Sequence, residues 1–500
     1  MDTNYSLILF RSDLRLKDNP AIYQCLQDSS KIIPLFILDS EDLGSASKLW
    51  LQNSLVQFKQ SLLDLGSGLL ITKITETKDL ANYISSLSKD LRFKNIFWGR
   101  RYEPINIKKD TELKQALNEA GFEAKSFCSN LLIEPWEIFN KQGKPYQVYT
   151  SYWKQYYEYL STSFKDRSLP CDYSLSSDNL IAKDKLASVN LNTELEDLDL
   201  ISSHHWEAKC AQYILTGELS AISKLKSFIA RSDNPQEYGL LNYGEYRDIP
   251  SVIGTSGISP HLHFGEISPR QIWTEVNKVE SPLKIDFMKQ IIWREFAHYL
   301  LYHFPHTETK PLKKDFINFN WLDLSDAKNL DALKIWQKGL TGYPIVDAGM
   351  RELWETGWMH NRVRMIVASF LVKDLRVHWL EGAKWFNDTL FDADLANNIM
   401  GWQWVAGSGA DASPYFRIFN PARQSEKFDP DANYIRKWVP ELKKLSNKYI
   451  HAPEKAPSGF LRAANIELGK DYPLPMVDHA LARDIALNEF KKLKDKAINT

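Results

Sequence analysis

The first 130 or so residues set short, unbroken apolar runs against longer stretches of helical spacing. Runs at 7–10, 32–38, 69–74 and 95–98 read as buried strands, and the spacings over 46–65, 77–91 and 108–120 read as helices. Strand and helix in strict alternation imply right-handed crossovers and a parallel sheet covered on both faces. A doubly wound α/β domain is therefore expected over residues 1–133. Such sheets take ligands beyond the carboxyl ends of their strands. Neither GxGxxG nor GxxxxGKS/T occurs, so no phosphate-cradling loop marks a ligand there. Residues 134–203 change character: a Tyr-rich piece from Tyr146 to Tyr159 leads into a Ser-, Asp- and Leu-rich stretch, which reads as an interdomain connector. From Trp206 onward nearly every apolar pattern is helical, as at 208–214, 269–276, 285–301, 345–375 and 484–496. The second domain, 204–500, should be all-α.

Candidate chemistry concentrates in that second domain. In GTSGISPHLHFGEISPRQIW (254–273), Ser259-Pro260 and Ser268-Pro269 each pair a good N-cap with the residue best tolerated at the first helical position. Gly254 and Gly257 let a backbone approach a ligand closely, and Thr255, Ser256 and Ser259 offer hydroxyls beside the positive end of a helix. That arrangement suits a diphosphate, and equally a plain capped loop. His261 and His263, two apart, diverge on a helix and do not form a metal pair, so no metal site is expected. Gln290, Trp293 and His298 share an apolar helix. In GWMHNRVRMIVASFLVKDL, Asn361, Arg364 and Met365 share one helical face. Burying the amide or the guanidinium unpaired costs about 1–3 kcal/mol, so each needs a partner. DADLANNIMGWQW supplies Asp392 and Asp394, and Asp394, Asn398 and Trp402, each four apart, would line one wall.

Composition narrows the class. A hydrophobic share of 44% and a charged share of 25% match a globular protein and exclude disordered, collagen-like and coiled-coil readings. Lys and Arg total 62 against 63 for Asp and Glu, so contact with nucleic acid must come from a local patch. Cys25, Cys128, Cys171 and Cys210 show neither a CxxC nor a zinc spacing, and no apolar stretch is long enough for a membrane span or signal peptide. A soluble, cytoplasmic monomer is expected. Ten of the 16 tryptophans fall between Trp273 and Trp404, where core packing is the bland explanation for any one of them.

Taken in order, GTSGISPHLHFGEISPRQIW, WREF, TGYPIVDAGMRELWETGWMHNRVRMI, DADLANN, GWQW and PYFRIFNP resemble the signature blocks of the photolyase and cryptochrome flavoproteins, and FRSDLRLKDNPAI resembles that family's opening strand and loop. The resemblance spans nearly the whole chain. It implies an N-terminal antenna domain and a C-terminal helical domain holding a folded, U-shaped FAD. Tyr243 and Thr255, Ser256, Gly257, Ile258 and Ser259 then correspond to phosphate and ribityl contacts. Asp392, Ala393 and Asp394 face the flavin, Arg364 pairs with Asp392, and Asn398 sits opposite N5. Trp402, Trp379 and Trp321 resemble an indole chain that photoreduces the flavin; Trp321 fits only with a short insertion before Trp336.

On the substrate side, Trp293 and Trp404 resemble the pair that sandwiches a flipped pyrimidine dimer in UV-damaged DNA, with Gln290, Asn361 and Met365 around it. Arg247 and Gln424, with Arg417, Arg423 and Lys427, would meet the phosphate rim. Many relatives that split cyclobutane dimers carry glutamate where this chain has Gln290. Six-four enzymes carry adjacent histidines where this chain reads His360-Asn361, which favours cyclobutane dimers over six-four products. Cryptochrome-type blue-light reception is the rival function, disfavoured by retention of Trp293 and Trp404 and by the absence of a long polar tail. A second chromophore, folate or deazaflavin, is expected near Trp50 and Tyr102-Glu103; the residues do not choose between the two.

Overall fold

The computed structural model describes residues 4–28, 30–39, 43–162, 170–189, 193–201, 207–230, 236–411 and 417–498. Five strands, β1 (Tyr5–Phe10), β2 (Lys31–Leu38), β3 (Leu70–Lys73), β4 (Phe93–Gly99) and β5 (Glu123–Phe127), pair in parallel in the order β3-β2-β1-β4-β5. Helices α1 (Pro20–Gln27), α2 (Ser45–Asp64), α3 (Thr77–Leu91) and α4 (Pro104–Glu119) fill the crossovers. The doubly wound domain is thus the one expected, with one strand and one helix more than the pattern reveals. β5 is an edge strand with a single buried residue, Ala124, so it lacks an apolar run. α1 is only eight residues long, started by Asn19, whose Oδ1 accepts from the Ala21 amide at 3.0 Å, with Pro20 behind it.

Strand order reverses between β1 and β4, and the crevice at that switch point is filled by the protein itself. Arg11 Nε lies 3.0 Å from Asp39, Arg101 Nη1 2.8 Å from Asp39, and Arg101 Nη2 2.5 Å from Asp110. Burial pushes the Asp39 carboxyl up, but the two guanidiniums win and hold it below its ordinary range.

The stretch read as a connector docks on this sheet. Ile181 N donates to Ile32 O, Thr193 N donates to Ile71 O, and Leu180, Leu195 and Leu198 join the core under β1 and β2. The proposed boundary at 203 and Trp206 lie outside the described residues. Arg15, fully buried, ties the domains together by donating to Ser129 O (2.8 Å) and to Gly265 O (3.0 Å) of the helical part.

Every longer element described beyond residue 207 is helical. The expected 345–375 helix is broken into Pro344–Thr356, Asn361–Ser369 and a π turn, Phe370–Asp374. Gly357, at φ +67, closes the first piece, and His360 Nδ1 caps the second by accepting from the Arg362 amide. Ser268 caps Pro269–Asn277 as predicted, in a reciprocal box with Gln271. Ser259 does not act as a cap. It is the first residue of the short helix Ser259–His263, and its hydroxyl is used elsewhere. None of the cysteines forms a disulfide, and among the described residues no helix is long and apolar enough to cross a membrane.

Candidate functional site

The site is built around the N-terminus of the helix Leu395–Ala406. Asp394 caps it, accepting from the Asn397 amide at 2.8 Å. Two residues earlier, Asp392 collects groups from two distant segments: Arg364 Nη2 at 3.0 Å and the Ser259 hydroxyl at 2.5 Å. Arg364 is itself held by donation to Met359 O at 2.8 Å. The guanidinium thus has the partner that its place on an apolar helix demanded. Asp392 Oδ1 lies in ion-pair range of Arg364 yet accepts no hydrogen bond, so a buried acceptor still has capacity.

Asp394 is also engaged from behind. Its Oδ2 lies 3.3 Å from His298 Nε2, and Glu103, from the sheet domain, completes a group whose ligand atoms lie within 4.8 Å of one another. Burial pushes the Asp394 carboxyl up, but His298, with Arg294 and His263 beyond it, holds it far below the usual range. Burial likewise pushes His298 down, and Asp394 reverses the direction. With His298 Nδ1 against Arg294 O, the imidazole faces only acceptors, so a charged histidine accounts for the group without a metal. The sequence showed His298 only as a polar residue on an apolar helix. His261 is a core residue, bound to buried Glu266 at 2.5 Å.

Asn398 Nδ2 donates to Ala383 O at 2.9 Å, which fixes the amide and leaves its acceptor for another partner. Trp402, 2% exposed, lies against Gly382, where an added Cβ would stand 2.1 Å from the indole. Trp379 is buried and stacks on His378 at 5.5 Å, and Trp321, half-buried, meets His378 at 5.1 Å. The indole in ring contact with Trp402 is Trp336, at 6.3 Å and edge-on, fully buried and anchored by donation to Val367 O. Nothing in the sequence pattern singles out Trp336 for that place.

In the loop before Ser259, Gly254 is required because a Cβ would stand 2.5 Å from Tyr246 O. Gly257 takes φ +59, Ser256 and Ile258 are buried, and Thr255 is half-buried. Lys224, which the pattern did not mark, donates to Gly257 O and adds a cation to this loop. Tyr243 is buried under Arg247, whose guanidinium lies 5.3 Å from its ring.

Trp293, Trp404, Met365 and Gln290 are all half-buried, while Asn361 is exposed at the start of its helix. Gln290 Nε2 donates to Asp286 O. Trp293 is not bare on both faces: Tyr149 stacks on it at 3.5 Å and 8°. Arg362 pairs with Asp248 at 2.9 Å and lies over Phe428. Gln424 is half-buried, and Arg417, Arg423 and Lys427 are exposed nearby in the chain.

A separate cavity of about 650 Å³ opens between Trp354, Trp385 and Trp438, with Lys334, Lys338 and Lys437 on its rim. Trp354 and Trp385 are parallel within 4° at 5.7 Å. The segment expected to receive a second chromophore is, by contrast, filled: Trp50 is 2% exposed and packed on His261 and Phe391, and Tyr102 is buried against Glu134.

A five-stranded α/β domain docked on a helical domain, with an Arg–Asp–Ser cluster beside a tryptophan-rich wall, is the organisation of an FAD-binding light enzyme or receptor. Family models match in both halves: DNA photolyase over residues 6–170 and the FAD binding domain of DNA photolyase over 287–492. The deoxyribodipyrimidine photo-lyase of Agrobacterium fabrum is 42% identical over 98% of both chains, and cryptochrome-2 of Arabidopsis thaliana is 36% identical over 99% of this chain and 80% of its own. A class III photolyase structure from Agrobacterium tumefaciens superposes with a TM-score of 0.88 at 41% identity, covering 99% of this chain and 98% of that one. The chain belongs to the photolyase and cryptochrome family.

Proposed function

We propose that the protein repairs cyclobutane pyrimidine dimers in UV-damaged DNA, driven by light through FAD. The observation that carries this reading is the adjacency, on three packed helices and the turn before one of them, of a polar cluster with spare capacity (Arg364, Asp392, Asn398) and a half-buried aromatic surface (Trp293, Trp404, Met365). The residues fit the cofactor. Asp392 Oδ1 is a buried acceptor without a hydrogen bond, suited to an imide N–H, and the Gly254–Ser259 loop with Lys224 suits a diphosphate.

When bound, reduced FAD supplies, on absorbing near-UV or blue light, one electron that the dimer returns once its C5–C5 and C6–C6 bonds have parted. The chain's own work is positional. Arg364 neutralises Asp392, and Asn398 offers its amide beside the reacting ring. Trp402, Trp379 and Trp321 provide the route by which electrons reach the site from the surface. Trp293 and Trp404 stack an extruded dimer, each face contributing about 1–3 kcal/mol per stacked base. Gln290 and Asn361 meet its polar edges with neutral hydrogen bonds, worth about 0.5–1.5 kcal/mol each. Arg247, Gln424 and the exposed Arg417, Arg423 and Lys427 meet the phosphates.

A second chromophore belongs to this reading. The 650 Å³ cavity with two parallel indoles and a lysine rim fits a flat heteroaromatic ring carrying an anionic arm, which describes a folate better than a filled crevice at Trp50 does. The rival reading is a blue-light receptor without repair, which shares the flavin pocket; the half-buried Trp293 and Trp404 favour repair. Anaerobic illumination of photoreduced protein with a thymine dimer in a short DNA strand tests the choice. Catalytic recovery of absorbance near 260 nm is expected. Bound FAD and normal photoreduction without recovery would favour the receptor, or a six-four substrate.

A further inference from the structure

The Tyr-rich segment packs on Trp293 and hydrogen-bonds the turn that follows the helix of Trp404. At one end, Tyr149 lies flat on Trp293, with ring centroids 3.5 Å apart and planes within 8°. Its hydroxyl donates to Lys289 O at 2.7 Å, one turn before Trp293 on the helix Ile285–His303. The stack is therefore locked to the turn that also carries Gln290. Phe296 closes the edge, 5.8 Å from Tyr149 and 6.0 Å from Trp293. Tyr149 itself is 7% exposed, so it is a backing for the indole and not a second open face.

The same segment holds the opposite wall through Asp411. Asp411 N donates to Gln147 O at 3.2 Å, and the Tyr149 backbone amide faces the Asp411 carboxyl, opposing the upward push of burial. Asp411 takes φ +52, an unusual backbone for a residue other than glycine, in which its amide reaches Gln147 O. Between Asp411 and Trp404, the amides of Ser408 and Gly409 both return to Gln403 O at 3.0 Å, so the turn is short and closed. A Cβ at Gly409 would stand 2.9 Å from Gln403 Cβ, which leaves no slack in it.

We propose that residues 147–149 form a strap that sets the gap between Trp293 and Trp404, with Tyr149 the positioning residue that holds the Trp293 ring flat for a stacked dipyrimidine. This rests on the dimer-repair reading for its ligand but not for its geometry. An unbacked indole at the mouth of a pocket has two rotatable bonds to order on binding, and a face already stacked removes that cost before substrate arrives. The strap thus acts on affinity and leaves the flavin side untouched.

The test uses the FAD-bound full chain with three variants: Tyr149→Leu, which keeps an apolar side chain without a ring, Tyr149→Phe, which keeps the ring, and Asp411→Ala at the other end. KM for a thymine oligonucleotide carrying one dimer is expected to rise roughly tenfold in Y149L, the scale of one aromatic stacking contact, with kcat changed less than about threefold. D411A should give a smaller rise and Y149F should restore most of the loss. With 5-fluorotryptophan incorporated, the Trp293 line, assigned by its disappearance in W293F, should be single and narrow in the parent and Y149F and shifted or broadened in Y149L. FAD absorbance and photoreduction rate should be those of the parent. A Y149L protein with bound FAD, the parent KM and an unmoved Trp293 line overturns the strap; if Y149L fails to hold FAD, D411A decides on the same two readouts. If the parent protein does not prefer the dimer to undamaged strand, the repair reading falls, and the fluorine line still decides whether Tyr149 positions Trp293.

Discussion

Two crevices in this molecule stand where their folds ordinarily take ligands, and they are finished differently. At the switch point of the sheet, Arg11 and Arg101 hold Asp39 and Arg101 holds Asp110 at 2.5–3.0 Å, so both carboxylates have counter-charges, while the two Nη atoms of Arg11 stay without a hydrogen bond. In the helical domain, Arg364, Asp392 and Ser259 converge as closely, yet one carboxylate oxygen stays without a hydrogen bond and Asn398 keeps its acceptor. They differ in burial, Arg11, Asp39 and Arg101 being buried while Arg364 is half-buried and Ser259 exposed. They also differ in the kind of capacity left over: guanidinium donors of Arg11 at the switch point, acceptors of Asp392 and Asn398 in the helical domain. An enclosed charge network holds a domain together, whereas a more open one with spare acceptors next to half-buried aromatic rings can take a partner.

Removing one charge from each crevice gives the largest contrast. Arg364→Ala leaves Asp392 without its counter-charge, a loss of about 3 kcal/mol for a buried pair. FAD absorbance per protein after gel filtration should fall more than tenfold. Asp39→Asn leaves Arg11 and Arg101 facing each other, so the denaturant midpoint should drop by a similar free energy. The fraction of folded protein holding FAD should stay that of the parent. Equal FAD loss in the two variants would erase the distinction.

The tryptophan wall sharpens the contrast at a smaller scale. Gly382→Ala places a methyl 2.1 Å from the Trp402 ring, so the indole must move, at about 1–3 kcal/mol of stability. Flavin photoreduction, followed by bleaching under blue light with a thiol donor, should slow about tenfold if that rate depends on Trp402 geometry. Trp336→Phe, which keeps a ring against Trp402, should slow it by less than Trp379→Phe. A larger effect from Trp336 would make the edge-on contact the principal electron route.

These crevices were unequally legible in the sequence. The inner strands announced themselves because burial on both faces gives unbroken apolar runs, as in β1 and β2, while β5, with only Ala124 buried, gave none. The need of Arg364 for a partner followed from its place on an apolar helix, and the family resemblance supplied Asp392 as that partner. The pairings His298–Asp394, Trp336–Trp402 and Tyr149–Trp293 join residues far apart in the chain, and no period or spacing encodes such contacts. The break at Gly357 was hidden because apolar positions continue on both sides of it; the signals were the glycine's left-handed φ and the capping imidazole of His360, both visible only in three dimensions.

The smallest effect tests how the substrate-side helix is seated. Glu352, 6% exposed, accepts from Tyr434 Oη at 2.6 Å and from the amide of His360, the cap of Asn361–Ser369. Burial pushes its carboxyl up to about 7, and burial pushes the His360 imidazole down to about 4. The unfolded chain releases the Glu352 proton near 4.5, whereas the folded protein keeps it until about 7. The stability it contributes is therefore present below 4.5 and lost as pH rises to about 7. His360 acts in the opposite sense, its contribution being lost as pH falls from 6.5 towards about 4, so the two slopes oppose each other through most of that range in the parent protein. Glu352→Gln removes only one of them and retains an acceptor for Tyr434. Relative to the parent, the variant should gain stability at pH 8, and the gain should shrink towards pH 5. Denaturant midpoints at the two pH values measure it, and a pH-independent difference would mean that Glu352 does not titrate beneath the His360 cap.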